Sequence, residues 1–136
     1  MKKTFIILLM VILSISIYAD KVSWYGKGFE GKLTASGYIF DSKQYTCASN
    51  KYPFGTVLKI TNKENNKSVK VVVTDRGGFE KYGRTLDLSK KAFSEISSLD
   101  KGIINANIKV VNQKNTFKYK KGNPKFTSKE YKNFLK

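Results

Sequence analysis

The stretch "TVLKITNKENNKSVKVVVTDRGGF", residues 56–79, predicts a β-hairpin whose second strand runs straight into charged residues and glycines. Residues 56–61 and 68–74 are rich in β-branched side chains, and the polar segment between them is typical of a hairpin loop. Asp75 and Arg76 follow the second strand directly. The Asp75 carboxyl therefore either accepts hydrogen bonds in a charged turn or is presented at the rim of a sheet as a catalytic or binding acid.

The remaining segments predict short strands and a single helix. Residues 21–56 are rich in glycine, aromatic and turn residues, which is typical of short strands joined by loops. The stretch "TLDLSKKAFSEISSL" predicts the helix, with Ser89 as its N-cap and Gly102 beyond its end, and residues 105–111 predict a last strand. The apolar face of the helix consists of Ala92, Phe93, Ile96 and Leu99. A chain of 136 residues allows one domain, so we expect a mainly β protein with a small barrel over residues 20–111.

The N-terminal stretch "MKKTFIILLMVILSISIYAD" has the layout of an export signal. Two lysines precede the apolar residues 4–13, and small or neutral residues follow up to Ala19. This order predicts a signal peptide over residues 1–19 and export to the periplasm, the cell envelope or the medium. The apolar core is shorter than the roughly 20 residues of a membrane span. Because Cys47 lies far from the predicted cleavage site, we expect no lipid-anchored N-terminal cysteine.

The composition excludes several classes of site. The chain has no histidine, so it contains neither a Ser-His-Asp triad nor a Cys-His pair. One cysteine without histidine argues against a zinc site and excludes an internal disulfide. We therefore expect no cofactor and no metal, and acid–base chemistry must come from Asp, Glu, Tyr or Lys side chains.

The chain is strongly basic, and much of the charge lies at the C-terminal end. The formal net charge is +16, and residues 112–136 hold eight lysines and one glutamate among interleaved aromatic residues. One interpretation of this tail is a solvated, partly disordered extension. The interpretation we favour is electrostatic attachment to an anionic wall or membrane surface. Export makes nucleic acid the weakest of the anionic partners, so we expect none.

Four stretches now line up in one order, and together they resemble a known family. They are "SWYGKGFEGKLTASG" (23–37), "YPFGTVLKITN" (52–62), "VTDRGGF" (73–79) and "GRTLDLSKKAF" (83–93). Over about residues 22–111 this order resembles the rare lipoprotein A (RlpA) family. The resemblance implies a six-stranded double-psi β-barrel with one short helix. It also implies an endolytic transglycosylase that cleaves MurNAc–GlcNAc bonds of peptidoglycan glycan strands and leaves 1,6-anhydroMurNAc ends. We expect the protein to be a monomer.

The resemblance assigns candidate site residues position by position. Asp75 is the aspartate of the family's D-R-G motif, Asp87 is that of its D-L-S motif, and Asp41 follows its T-A-x-G motif. We expect these carboxyls to be catalytic, with Asp75 as the leading acid and base. One carboxyl is sufficient, because it can protonate the glycosidic oxygen and then accept the proton of the C6 hydroxyl without consuming water. The expected substrate-binding residues are Tyr25, Tyr38, Ser49 and Arg76.

Two departures from the family pattern keep a second function open. Tyr38 stands where the family has glutamate, and Ser49 stands where it has histidine. Because the ordinary pKa of tyrosine is about 10, Tyr38 cannot replace a glutamic acid as a proton donor near neutral pH. The alternative function is therefore a non-catalytic peptidoglycan-binding or expansin-like wall-loosening module.

Each candidate also has a structural alternative. Asp75 is equally suited to accept hydrogen bonds in its turn, Asp87 to cap the helix that follows it, and Asp41 to be an ordinary loop acid. Trp24 and Tyr25 either pack in the core or form a stacking surface for a sugar ring. We expect Trp24 to be buried and Tyr25 to be partly exposed.

Overall fold

The computed structural model describes residues 19–136, so the predicted signal peptide lies outside the described residues apart from Ala19. The strands are β1 (Asp20–Trp24), β2 (Thr46–Ser49), β3 (Val57–Asn62), β4 (Ser68–Asp75), β5 (Leu86–Leu88) and β6 (Ile103–Asn112). They close into a barrel in the spatial order β1-β5-β2-β4-β3-β6. Two α-helices accompany the barrel, α1 (Lys90–Ile96) and α2 (Ser128–Leu135). Neither helix is long and apolar enough to cross a membrane.

Two of the six strand pairs are parallel, and these set the topology of the barrel. β1 runs parallel to β5 and β2 runs parallel to β4, whereas the other four neighbouring pairs are antiparallel. The predicted hairpin is present as β3 and β4, with Val57 opposite Val72 and Ile60 opposite Val69. Each of the six strands in the described part of the chain has a neighbour on both sides, so their backbone groups are paired within the sheet.

The alternation of side chains along β3 and β4 separates two buried faces. Val71 and Val73 of β4 belong to the main core together with Leu58 of β3. Val57 and Val72 belong to a second cluster on the other face of the same strands. Because successive residues of a strand point to opposite faces, this hairpin has apolar residues on both of its faces. Something other than the barrel interior must therefore cover its outer face.

Helix α1 packs against the main core and begins as predicted. Ser89 is its N-cap, and the Ser89 hydroxyl oxygen accepts the Ala92 N–H at 3.2 Å. Ala92 and Ile96 are buried. The helix ends at Ile96, earlier than its sequence pattern predicts, because the two serines that follow adopt extended backbone conformations. Leu99 belongs to a separate 3₁₀ turn that ends at Gly102.

The C-terminal segment, residues 113–136, folds onto the outer face of the hairpin, so the prediction of one short helix is wrong. Thr127 caps α2, and its hydroxyl oxygen accepts the Glu130 N–H at 3.3 Å. Phe126 and Phe134 are 2% and 7% exposed. They form one cluster with Tyr38, Val57 and Val72. The interpretation of this segment as a solvated, partly disordered extension is therefore also wrong, because Phe126 and Phe134 are buried while most of its lysines remain exposed.

Two glycines permit the close approach of this segment to the barrel. The Lys120 N–H donates to the Ser36 carbonyl oxygen at 2.7 Å, directly beside Gly37. Gly37 has a φ of +95°, and a Cβ there would meet the backbone of Lys120. Gly55 has a φ of +90°, and a Cβ there would lie 2.5 Å from the Asn115 carbonyl oxygen. Both positions therefore require glycine for conformation as well as for space.

Candidate active site

Two aspartates meet at one rim of the barrel, on either side of β2. Ala48 of β2 lies opposite Asp75 of β4 and also opposite Asp87 of β5. The register of β2 and β4 shifts between Cys47 and Ala48, which indicates a bulge where Asp75 leaves its strand. Bulges of this kind redirect side chains at a barrel rim. The fold therefore brings together two of the three predicted carboxyls.

Asp75 accepts three hydrogen bonds from the protein. Its Oδ1 accepts the backbone N–H groups of Ala35 and Arg76, each at 2.9 Å. Its Oδ2 accepts the Tyr25 hydroxyl at 3.0 Å. Donors on both oxygens fix the orientation of the carboxylate. The two backbone contacts are those expected if Asp75 only stabilises its turn. The same carboxylate also accepts the hydroxyl of Tyr25, which directly follows β1.

The exposures predicted for Trp24 and Tyr25 are both wrong, because Tyr25 is buried next to Asp75 and Trp24 is only half-buried. Tyr25 is 6% exposed and stacks on Phe40 with ring centroids 4.5 Å apart. Burial, together with the charge of Asp75, raises the pKa of Tyr25, so its hydroxyl remains a hydrogen-bond donor at neutral pH. Trp24 is half-buried, and its Nε1–H donates to the Leu99 carbonyl oxygen at 3.1 Å.

Asp87 has different surroundings from Asp75. Its Oδ1 accepts the Ser23 hydroxyl at 2.8 Å and lies 4.0 Å from Arg84 Nη1. Burial raises the pKa of the Asp87 carboxyl, against the opposing effects of the Ser23 hydrogen bond and the Arg84 charge. The negative charge of Asp75 raises this pKa further. The capping alternative for Asp87 is wrong, because Ser89 caps α1 while the Asp87 side chain is bonded to Ser23.

Asp41 lies in a turn and contacts its own loop. Its Oδ1 accepts the Lys43 N–H at 2.9 Å, and its carbonyl oxygen accepts the Gln44 N–H at 3.1 Å. These are the contacts of the ordinary loop acid that we considered for Asp41. The neighbouring residue Phe40 stacks on Tyr25, and Tyr25 in turn contacts Asp75. The loop of Asp41 is therefore connected to the rim only through these two aromatic residues.

Arg76 and Ser49 are joined by a backbone contact. Arg76 Nη1 donates to the Ser49 carbonyl oxygen at 2.7 Å, and its guanidinium lies 4.0 Å from the centroid of the Phe54 ring. The Ser49 hydroxyl oxygen accepts the N–H groups of Lys51 and Tyr52 at 3.1 and 3.3 Å. Ser49 is 1% exposed, so its side chain serves the loop that follows β2. Arg76 remains exposed at the surface beside Asp75.

Tyr38, which aligns with the glutamate of the family pattern, packs under the C-terminal segment. It is 1% exposed, and its hydroxyl donates to Glu130 Oε2 at 3.0 Å. Burial and the Glu130 carboxylate raise the pKa of Tyr38. Its ring makes edge contacts with those of Phe117, Phe126 and Phe134. The side-chain contacts of Tyr38 are therefore with the C-terminal segment, whereas those of Tyr25 are with Asp75.

Several rim residues were missed by the sequence reasoning. Phe29 is 48% exposed and makes an edge-to-face contact with Tyr25, with ring centroids 5.4 Å apart. Tyr82 is 68% exposed, and the Arg84 guanidinium lies 5.7 Å from its ring centroid. A cavity of about 260 Å³ adjoins Tyr25. Aromatic residues in glycine-rich loops were the available signal, since exposed rings in such loops suit sugar stacking. The role of Ser23 in bonding Asp87 had no local signal.

One known protein family matches the residues that form the barrel and its rim. A family model described as "Lytic transglycolase" matches residues 18–108. The chain belongs to this family. The matched range includes β1 to β5, the first part of β6 and both rim aspartates. It ends before the C-terminal segment.

Individual relatives confirm the predicted RlpA resemblance. The endolytic peptidoglycan transglycosylase RlpA of Vibrio cholerae is 43% identical over 93 residues, which cover 68% of this chain and 35% of that protein. The protein of the same name from Campylobacter jejuni is 39% identical over 101 residues, covering 74% of this chain and 36% of that protein. The chain thus spans about a third of the length of the curated relatives it matches.

Solved structures confirm the predicted fold class. The Streptomyces papain inhibitor superposes with a TM-score of 0.57 at 21% identity, covering 70% of this chain and 94% of that one. A mutant expansin of Clavibacter michiganensis in complex with cellohexaose superposes with a TM-score of 0.53 at 20% identity, covering 69% and 50%. At these identities the likeness concerns the fold alone, a double-psi β-barrel.

Proposed function

We propose that this chain is the catalytic domain of an exported endolytic peptidoglycan transglycosylase, which cleaves MurNAc–GlcNAc bonds and leaves 1,6-anhydroMurNAc ends. The observation that carries the proposal is the meeting of Asp75 and Asp87 on either side of Ala48 at one rim of the barrel. Membership of the lytic transglycosylase family and the names of the RlpA relatives support the same reaction.

In this proposal the two carboxyls have different roles because their surroundings differ. Asp87 is the proton donor, since burial raises the pKa of its carboxyl and so favours the protonated form that can donate. Asp75 faces the developing positive charge of the sugar, since three donors already hold its carboxylate in one orientation. Asp75 is the leading acid in the sequence analysis; the raised pKa of the Asp87 carboxyl is what moves the proton transfer to Asp87 in this proposal.

The proposed reaction balances with one proton donor and no water. Asp87 transfers its proton to the glycosidic oxygen as the bond between that oxygen and C1 of MurNAc breaks. The C6 hydroxyl of the same MurNAc then attacks C1, and the Asp87 carboxylate takes the hydroxyl proton as the O6–C1 bond forms. Asp87 is protonated again at the end of the cycle. A histidine or a second base to activate water is not required by this scheme.

The exposed side chains at the rim are suited to hold the glycan during this reaction. Phe29 and Tyr82 present ring faces on which sugar rings stack, and Arg76 presents a guanidinium beside Asp75. The lysines of the C-terminal segment add attraction to an anionic wall. We place the protein outside the cytoplasmic membrane as a monomer.

The direct test is product analysis with the protein of residues 20–136. Purified protein is incubated with intact peptidoglycan and with peptidoglycan stripped of stem peptides, and the soluble products are analysed by mass spectrometry for anhydro-muropeptides and anhydro-glycans. Asp87→Asn is expected to abolish product formation, and Asp75→Asn is expected to reduce it by about 10²-fold or more, the range seen for essential electrostatic groups. Asp41→Asn tests whether the third predicted carboxyl takes part in the reaction.

A control and an alternative outcome make this test decisive. Asp100→Asn changes an exposed aspartate in the 3₁₀ turn and is expected to leave product formation unchanged. If wild-type protein sediments with intact sacculi yet forms no anhydro product from either substrate, the catalytic proposal is wrong. The chain would then act as the peptidoglycan-binding or wall-loosening module that the replacements at Tyr38 and Ser49 suggest.

A further inference from the structure

A second cavity, of about 440 Å³, lies beside the rim, between the loop that follows β2 and the C-terminal segment. Three cationic side chains line it: Lys51, Arg76 and Lys118. None of the described residues that line it carries a carboxyl group, and none of the three cations forms an ion pair within residues 19–136. The cavity is therefore positively charged and suited to an anionic ligand.

The guanidinium of Arg76 is held in place before any ligand arrives. Its Nη1 donates to the Ser49 carbonyl oxygen at 2.7 Å, and its central carbon lies 4.0 Å from the centroid of the Phe54 ring. A guanidinium has five N–H donors, so these contacts leave donors for a ligand. A pre-oriented guanidinium matches the two oxygens of a carboxylate. Because Arg76 directly follows Asp75, this cavity lies next to the proposed catalytic rim.

The aromatic residues of the cavity indicate the chemistry of the rest of the ligand. Tyr52, Phe54 and Phe117 are half-buried around it, with the rings of Phe54 and Phe117 6.0 Å apart. Half-buried rings stack on the apolar faces of sugar rings. Phe117 and Lys118 lie beyond the residues that the family model matches, so the C-terminal segment adds one wall of this cavity to the family barrel.

We propose that this cavity is an anion subsite that binds a carboxylate carried on a sugar ring of the substrate glycan. In peptidoglycan this carboxylate is the lactyl group of MurNAc, which is free wherever the stem peptide is absent. The inference rests on the proposed function, because it takes the glycan as the ligand. Arg76 binds the carboxylate, Lys51 and Lys118 add charge at the cavity mouth, and the aromatic residues hold the ring that carries it.

Equilibrium binding to two forms of one glycan tests the proposal. The first probe is peptide-free glycan strands with free lactyl carboxylates, and the second is the same strands after conversion of those carboxylates to methylamides. The exposed charges of Lys51 and Lys118, at about 0.2–1 kcal/mol each, together contribute a factor of roughly twofold to thirtyfold to the preference. We expect wild-type protein to bind the carboxylate form about tenfold more tightly than the amide form at low salt, and the preference to shrink at high salt.

A matched pair of variants locates the preference. Lys51→Gln/Lys118→Gln is expected to lower the preference by the factor that these two lysines contribute, with Arg76 keeping the remainder, whereas Lys67→Gln/Lys109→Gln removes the same charge from exposed positions outside the C-terminal segment and is expected to keep the preference. Thermal unfolding of both double variants verifies that each is folded. Equal loss in both pairs would overturn the proposal, because it would show attraction to net charge instead of a site.

The remaining outcomes separate this inference from the proposed function. Cleavage of both glycan forms with no difference in affinity would overturn the subsite and leave the transglycosylase standing. A preference that depends on Lys51 and Lys118 in a protein that forms no anhydro product would support the subsite while the catalytic proposal fails. If the first double variant loses binding to anionic phospholipid vesicles but binds both glycan forms like wild type, the cations serve a membrane surface and the proposal is wrong.

Discussion

Placing a glutamate at position 38, as in the RlpA pattern, tests the arrangement of the C-terminal segment. Tyr38 is 1% exposed and packs against Phe126 and Phe134, and removal of a buried aromatic ring costs about 3–5 kcal/mol. Tyr38→Glu also puts a second carboxyl near Glu130, where the two negative charges repel. We therefore expect the free energy of unfolding to fall by at least about 3 kcal/mol and glycan cleavage not to rise.

Thermal unfolding followed by circular dichroism measures this effect. For a domain of this size each kcal/mol corresponds to about 4 °C, so the expected fall in Tm for Tyr38→Glu is roughly 12 °C or more. Tyr38→Phe is the matched control, because it keeps the ring and removes only the hydrogen bond to Glu130. That bond contributes about 1 kcal/mol, so the control is expected to unfold about 4 °C below wild type.

One combination of results would refute the reasoning. If Tyr38→Glu unfolds within a few degrees of wild type and cleaves peptidoglycan faster, then position 38 faces the substrate and the C-terminal segment does not cover it. A large loss of stability in Tyr38→Phe as well would show that the hydroxyl contact with Glu130 dominates, against the packing argument.

Three further predictions concern the backbone, the rim and the pH dependence. Gly37→Ala places a Cβ against the C-terminal backbone at a φ of +95° and is expected to cost about 1–3 kcal/mol, whereas Gly78→Ala meets nothing within 4 Å and is expected to change stability by less than about 0.5 kcal/mol in urea unfolding. Tyr25→Phe removes the 3.0 Å donor to Asp75 and is expected to lower the cleavage rate by about tenfold with the protein still folded; an unchanged rate would show that Tyr25 does not orient Asp75. Because burial raises the folded-state pKa of Asp87, the folded protein binds that proton more tightly than the unfolded chain, and stability falls as pH rises from the ordinary carboxyl range through the raised value. Asp87→Asn is expected to remove this part of the decline in Tm between acidic and neutral pH, and an identical decline in the variant would contradict it.

The parts of the fold that are local in sequence were predictable, and the hairpin illustrates why. The β-branched runs of β3 and β4 flank a polar loop, so their pairing needs no information from elsewhere in the chain. The same holds for Ser89, whose hydroxyl caps a helix that begins one residue later. The placement of Asp75 at the rim followed from its position at the end of β4.

The features that depend on distant partners were not predictable from local patterns. The exposure of Tyr25 depends on a hydrogen bond to Asp75, 50 residues away, and on stacking against Phe40. The C-terminal segment reads as a charged tail because lysines dominate its composition. Its order comes from burial of Phe126 and Phe134 against strands far away in the sequence. Composition describes its exposed side, whereas the few buried rings determine its conformation.

The same C-terminal segment performs two tasks, and this decides how its role can be tested. It covers the outer apolar face of β3 and β4, and it supplies Phe117 and Lys118 to the cationic cavity beside Arg76. Deletion of the whole segment would expose Val57 and Val72 to water and remove one wall of the cavity together, so a loss of glycan binding would have two explanations. Only substitutions of exposed charges such as Lys118, which leave the buried rings in place, separate attachment to glycan from the stability of the barrel.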